Sequence, residues 1–353
     1  MAGKVYLGPA NTAGVFLDIQ KSLRSVGVEA DFIPWSSGKH SFYNHIGKQF
    51  SLLNGNSKPV LGLNIIFLIN RYALKPLYFF HAVLHYDAFV FIKPRTFFLR
   101  NIDLYILRLL RKKIVILFVG CNDRNPAFSN AKWWLCNNCL DHKKQSDNNC
   151  LNLSKKRQVA LRFDRFSDQV VGFPDVTSYI GRTTPILKLP LGDIQVGFSQ
   201  KNYNDELRIL HLPSNPAMKG SGEIIPILNS LKREGVAVIV KSEPWSREKM
   251  LDELSKGHIL VDSLLEYTFG KMSLEAIQYG CLAVNAYPDW IRNLYPEEVV
   301  HPASVESLKL VLEKLIADRQ LLTEKIRKQQ EFVTKSFSIN SIGQYYKDII
   351  FAE

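Results

Sequence analysis

One lysine and one glutamate, each set where a strand gives way to a helix, are the residues best placed to do chemistry in this chain. The lysine lies in His211-Leu212-Pro213-Ser214-Asn215-Pro216-Ala217-Met218-Lys219-Gly220-Ser221. A loop leaves an apolar strand, places Lys219, and opens a helix at Gly220 and Ser221. The N–H groups of a helix start, with an ammonium beside them, suit a diphosphate. An ordinary strand-to-helix loop with a surface lysine has the same composition, and both readings stand. The glutamate lies in Glu266-Tyr267-Thr268-Phe269-Gly270-Lys271-Met272-Ser273-Leu274-Glu275-Ala276-Ile277-Gln278-Tyr279-Gly280. That helix begins at Phe269-Gly270, which puts Glu275 about a turn and a half inside it. A carboxylate there can accept hydrogen bonds from two vicinal ribose hydroxyls while the helix start faces phosphates. Read alone, Glu275 is equally a plain helix-surface acid.

Together the two junctions are more specific. The segment from 207 to 280 resembles the donor domain of retaining GT-B glycosyltransferases (glycosyl transferases group 1, family 4-like), the bacterial group that builds surface polysaccharides. Lys219-Gly220 matches the Lys-Gly that ends a loop in that family. Phe269-Gly270 and Leu274-Glu275-Ala276 match the second half of its E-x7-E element, and Gly280-Cys281-Leu282-Ala283-Val284 fits the turn and strand that follow. The resemblance implies that Lys219 contacts the donor diphosphate and stabilises it as it departs. It implies that Glu275 holds the ribose and that the amides of Gly270, Lys271, Met272 and Ser273 hold the phosphates, with Asn215, Gly220 and Ser221 also on the donor side. Trp245 is the candidate to stack on the base. Two positions depart from the pattern. Tyr267 stands where the first Glu of the element belongs, with Glu266 one place early, and Ser214 stands where an Arg precedes the Lys by five residues. Either Arg292 or another basic residue substitutes for that Arg, or catalysis is impaired.

In the N-terminal half, Gly8-Pro9-Ala10-Asn11-Thr12-Ala13-Gly14 resembles the glycine-containing first loop of GT-B acceptor domains, placing Asn11 and Gly14 on the acceptor side. Gly14 is equally explained by tight strand–helix packing. Gly120-Cys121-Asn122-Asp123-Arg124 resembles a Gly-x-Asp-x-Arg turn of the same group. Asp123 would orient an acceptor hydroxyl as a catalytic residue, and Arg124 would pair with an acceptor phosphate; a structural Asp–Arg pair is the alternative. Cys136-x2-Cys139, with Cys121 and Cys150, makes a candidate four-thiolate structural zinc site, against which stands the frequency of free buried thiols. Cys281 stands apart and reads as core.

These residues must be carried by a scaffold, and its rhythm is short apolar strands alternating with amphipathic helices, which is α/β with parallel sheets. Strands are expected at Val5–Leu7, Val28–Ile33, Tyr86–Ile92, Lys113–Val119, Val170–Phe173 and Ile186–Leu189 in the first half. A polar stretch, Gln195–Glu206, reads as the linker. Beyond it come strands at Leu207–Leu212, Val236–Val240, Ile259–Val261 and Leu282–Asn285, with helices at Glu223–Arg233, Glu248–Leu254 and Lys271–Tyr279. The expected architecture is GT-B: two doubly wound Rossmann-like domains facing a central cleft. The acceptor domain spans 1–197, with a Cys-containing insertion at about 121–150, and the nucleotide-sugar domain spans 206–335. A C-terminal helix in 336–353, with a stripe of Ile342, Tyr345, Tyr346, Ile349 and Ile350, would cross back to the first domain.

The chain has 353 residues and a net charge of +12. Residues 1 to 200 hold 26 Lys and Arg against 12 Asp and Glu, and the rest holds 19 against 21, so all of the basic excess is N-terminal. That half therefore calls for an anionic partner. The mixture of aromatic and basic residues from Phe79 to Lys113 carries no nucleic-acid motif, and it fits a lipid-linked acceptor at a membrane. No signal peptide or spanning stretch is visible, which points to a cytoplasmic protein at the inner face of the membrane.

The resulting expectation is a glycosyltransferase moving a sugar with retention from a UDP- or GDP-sugar to a surface polysaccharide, glycolipid or lipid-linked oligosaccharide. By the resemblance, transfer itself needs no cofactor, and nucleic acid is not a partner. The alternatives are a nucleotide-sugar epimerase of the same architecture and a non-catalytic nucleotide-sugar-binding subunit.

Overall fold

The computed structural model describes residues 3–9, 14–34, 73–93, 95–119, 124–125, 152–182, 184–189, 191, 201–203, 206–241, 243, 245–265, 269–296 and 299–352. The described residues up to 191, together with 339–352, form one compact unit, and those from 201 to 338 form another.

The first unit runs β1 (Val5–Leu7), α1 (Val15–Ser25), β2 (Ala30–Phe32), α2 (Lys75–His85), β3 (Ala88–Ile92), α3 (Ile102–Leu109), β4 (Lys113–Phe118), α4 (Leu153–Phe166) and β5 (Gln169–Gly172). The five strands pair in parallel in the order β2-β1-β3-β4-β5. All of β3 is buried, as is β4 from Ile114 onward. Such continuous apolar runs belong to strands covered on both faces. The steps from β2 to β3, β3 to β4 and β4 to β5 all cross the sheet in one direction, whereas β1 to β2 goes the other way. Right-handed crossovers therefore set α2, α3 and α4 side by side on one face and α1 on the opposite one. The Tyr105 ring of α3 lies 4.1 Å from that of Phe166 on α4, as this layering requires.

Ile186–Leu189, expected as a strand, is irregular instead. Pro185 and Pro190 bracket it, and proline cannot donate to a ladder. Among the described residues, the Gly172 N–H to Pro185 carbonyl and Leu187 N–H to Gly172 carbonyl bonds tie it to β5, at 3.1 and 3.3 Å. Its carbonyls are taken up elsewhere: Tyr345 donates to Ile186, and Tyr346 donates to Lys188 at 2.8 Å.

The second unit runs β6 (Arg208–His211), α5 (Ser221–Arg233), β7 (Ala237–Val240), α6 (Arg247–Lys256), β8 (Ile259–Ser263), α7 (Lys271–Gln278), β9 (Leu282–Asn285), β10 (His301–Pro302), α8 (Leu308–Ala317) and α9 (Arg319–Ser336). Its parallel sheet has the order β10-β9-β8-β6-β7, the reversal of direction falling between β6 and β8. Ile209, Leu228, Ile259, Leu282, Leu312 and Ile326 share one core. Gln329 of α9 serves both backbone groups of Ala283, accepting at 2.9 Å and donating at 3.1 Å.

Helix α10 (Ile339–Ile350) belongs to the first unit and lies on α1. A Cβ on Gly343 would stand 2.0 Å from the Ser22 carbonyl, so the two backbones meet where only glycine fits.

Candidate functional site

In an open parallel sheet, ligands bind outside the carboxyl ends of the strands, where the strand order reverses. In the second unit that place is the end of β6 and β8. After β6 the chain makes a single helical turn, Pro216–Lys219, and passes through Gly220 at φ 80° before α5. The left-handed conformation suits glycine, and the space does too: a Cβ there would lie 2.9 Å from Cγ of Leu265.

This turn carries the Lys219 ammonium to Asp262 on β8, at 3.2 and 3.3 Å from its two oxygens. Asp262 is 2% exposed and also accepts from the Ser273 hydroxyl at 2.6 Å. Ser273 and Asn285, at the end of β9, share a further hydrogen bond at 3.2 Å. Three adjacent strands, β6, β8 and β9, thus bring Lys219, Asp262, Asn285 and the first turn of α7 together. Gly270, the residue before α7, has no side chain, and a Cβ on it would stand 3.6 Å from the Lys219 ammonium. The lysine of the first junction and the helix start of the second are therefore neighbours, with a bare backbone between them. The amides of that helix start are oriented for an anion.

Glu275 is 1% exposed, so it is not a helix-surface acid. Both of its oxygens are gripped by Arg247, Nη1 to Oε2 and Nη2 to Oε1, each at 2.6 Å. Arg247 opens α6, whose N-cap Ser246 accepts from the Lys249 amide at 3.2 Å. The bidentate pair orients the carboxylate and uses one lone pair on each oxygen, which leaves one more on each.

His211 at the end of β6 is fully buried, with Nδ1 2.7 Å from the Val261 carbonyl and Nε2 2.7 Å from the Ser221 hydroxyl. The carbonyl can only accept, so Nδ1 carries the proton and the bare Nε2 of the neutral ring accepts from Ser221. Burial pushes the imidazole pKa down and keeps it neutral. Ser221, expected on the donor side, therefore turns its hydroxyl proton inward. Met272 is half-buried against the cluster of Leu210, Leu260 and Cys281. Trp245 is partly buried against the same cluster and has Lys249 Nζ 4.4 Å above its ring. The main-chain carbonyl of Asn215 accepts from the Lys219 amide at 3.1 Å, closing the helical turn. Cys281 is a core thiol beside Leu254 and Gly257 carbonyls, as expected. Arg292 is half-exposed on a single turn with Asp289 3.8 Å away.

In the first unit Gly14 precedes α1 at φ 75°. Arg124, expected to reach an acceptor phosphate, is 7% exposed and directed at Asp175, with Nε 3.3 Å from its carboxylate. Its carbonyl accepts from Lys156 at 2.8 Å and from Tyr179 at 3.3 Å. Arg124 is thus held at the end of β5, where Asp175 is one carboxylate partner. Asn11, Asp123, Cys121, Cys136, Cys139, Cys150, Glu266 and Tyr267 lie outside the described residues. Among the described residues there is no group of three or more His, Cys, Asp or Glu that could hold a metal. Sequence reasoning missed Arg247 and Asp262. Asp262 left a signal, as the one charged residue of β8, directly after its apolar run Ile259–Val261; Arg247 left none.

No protein-family model matches the chain, and no curated protein matches it in sequence. Solved structures do match in fold. Anabaena HepE, solved with UDP-glucose, is 14% identical with a TM-score of 0.59, covering 99% of this chain and 100% of its own. WaaG, a glycosyltransferase of lipopolysaccharide biosynthesis, is 15% identical with a TM-score of 0.55 over 99% and 100% of the two chains. The UDP-GlcNAc 2-epimerase of Neisseria meningitidis, solved with UDP-GlcNAc, is 10% identical with a TM-score of 0.51 over 99% of each. Two parallel five-stranded sheets with their helices, matched to these structures over nearly the whole chain, give this protein the GT-B fold.

Proposed function

We propose that the protein is a glycosyltransferase whose second unit binds a nucleotide-sugar at the ends of β6, β8 and β9. The observation that carries this reading is the Lys219 ammonium held by Asp262 beside the bare backbone of Gly270 and the start of α7. An incoming diphosphate would exchange the lysine's carboxylate partner for phosphate oxygens and meet the α7 amides at the same time. Glu275, fixed by Arg247, would take the ribose hydroxyls on its remaining lone pairs. The charge that develops on the leaving diphosphate would then be met by Lys219 and the helix start without a metal. UDP-glucose bound to HepE and the lipopolysaccharide role of WaaG, both of this fold, support a nucleotide-sugar donor and a glycan or lipid-linked acceptor. Retention of configuration rests on the resemblance of residues 207 to 280.

Calorimetry with UDP and GDP tests the donor site, and transfer of labelled sugar into a lipid extract tests the reaction. Binding of neither nucleotide would sink the reading. A second reading, an epimerase, is favoured by the epimerase of the same fold bound to UDP-GlcNAc. Incubation with nucleotide-sugar alone separates the two, since only an epimerase produces a new sugar without an acceptor. Nucleotide binding without turnover on any extract would identify a non-catalytic subunit.

A further inference from the structure

Helices α2 and α3 are apolar on two sides. Their inner faces pack on the sheet through Phe79, Ala82, Val83, Leu104 and Leu107, as any covering helix does. Their outer faces are apolar as well: Leu77, Phe80 and Leu84 on α2 are 67%, 57% and 87% exposed, and Ile102, Tyr105 and Leu109 on α3 are 54%, 58% and 82% exposed. Both sets recur at the same i, i+3, i+7 spacing, which is one continuous stripe along each helix. The crossover directions put the two helices side by side on one face of the sheet. A helix apolar all round belongs in a core or against lipid.

Charge decides between the occupants of this face. Neither α2 nor the segment from Arg95 to Lys113 has an exposed carboxylate, because Asp103 is fully buried and accepts from the Phe97 amide at 2.9 Å. On the neighbouring α4, Asp164 is taken by Arg182 at 2.7 Å. Arg100, Arg111, Arg157 and Arg162 are exposed and form no ion pair with any described residue. A second copy of this chain packed here would bring like charges together across a two-fold axis. Four of the six stripe residues are Leu or Ile, and a nucleic acid would have to cover their aliphatic side chains without stacking on them. An anionic bilayer matches both features, since acyl chains accept the Leu, Ile and Phe side chains while headgroups meet the guanidinium groups.

We infer that the outer face of α2 and α3 is a docking surface that lays the first unit on an anionic lipid surface. This deepens the acceptor side of the proposed function, and its test does not depend on nucleotide binding. The full chain is sedimented with vesicles of phosphatidylcholine alone and with vesicles of equal parts phosphatidylcholine and phosphatidylglycerol. The wild type is expected to sediment with the mixed vesicles only, and less as salt rises. At about fivefold in affinity per cation near the surface, Arg100→Ala with Arg111→Ala lowers binding about twenty-five-fold. Phe80→Glu with Leu84→Glu abolishes it. All four side chains are exposed, and unchanged thermal unfolding confirms that the variants fold. Wild-type protein that stays in the supernatant with both vesicles overturns the proposal, as do variants that bind like wild type. A dimer in sedimentation velocity that Leu84→Glu dissolves, without vesicle binding, makes the face a protein interface and overturns it too. Calorimetry with UDP on the same preparations reports on the nucleotide site separately.

Discussion

Arg247 holds both carboxylate oxygens of Glu275 at 2.6 Å, and the two ends of this pair are unequally exposed: the glutamate side chain is 1% accessible and the arginine 23%. Removing Arg247 therefore leaves a buried, uncompensated charge, whereas removing the charge of Glu275 leaves an arginine that can turn to water. Arg247→Ala is expected to cost about 3 to 5 kcal/mol of stability, and Glu275→Gln clearly less. Denaturant unfolding of the two variants side by side measures the difference. Equal losses would mean that the pair is surface-like.

Lys219 is expected to bind nucleotide, and Asp262 to hold it ready. A charge-assisted hydrogen bond is worth about 1.5 to 3 kcal/mol, so Lys219→Ala should weaken UDP binding by roughly ten- to a hundredfold. Lys219→Ala combined with Asp262→Asn removes the buried carboxylate left behind and should restore stability but not affinity. Calorimetry and thermal unfolding on both variants separate the two effects; unchanged affinity in both removes Lys219 from the site.

Gly220 is strained for any other residue on two counts, its φ of 80° and the closeness of Leu265. Gly220→Ala should lose about 1 to 2 kcal/mol from the left-handed conformation alone, and more from the contact. Adding Leu265→Ala should not rescue the conformational part. A Gly220→Ala protein as stable as wild type would place the turn differently.

Gly343 lets α10 lie against α1. A methyl group there would meet the Ser22 carbonyl backbone, which cannot rotate away. Gly343→Ala is expected to loosen α10 and cost roughly 1 to 3 kcal/mol or more. Hydrogen exchange across 339–350 is the readout, and protection equal to wild type would contradict the close approach.

His301 is held in its neutral form, with burial as the main cause and Lys325 and Lys314 adding to it, so its pKa falls from 6.5 to about 4. A depressed folded pKa means that the unfolded chain binds the proton first. The stability it contributes is complete above pH 6.5 and is lost as pH falls toward 4. The full loss is of order 3 kcal/mol, from about 1.4 kcal/mol per pH unit. His301→Gln should flatten unfolding stability against pH in that window; an unchanged profile would exclude His301 as its source.

The elements of the second unit could be read from the chain because their signals are local. Leu282–Asn285 is a short apolar run and forms β9 over the same residues. Gly270 precedes α7, and Gly280 follows it in the left-handed conformation. Lys219-Gly220 and Phe269-Gly270 were recognisable for the same reason, since strand ends, helix starts and glycine turns are properties of a few adjacent residues. Which side chains meet was a different matter. Asp262 reaches Lys219 only because β8 pairs with β6, Arg247 reaches Glu275 across 28 residues, and Asp175 answers Arg124 from beyond β5. Those partners follow from strand order and helix placement. A carboxylate is chosen as a partner by where burial removes water from it, and that is decided when the sheet assembles.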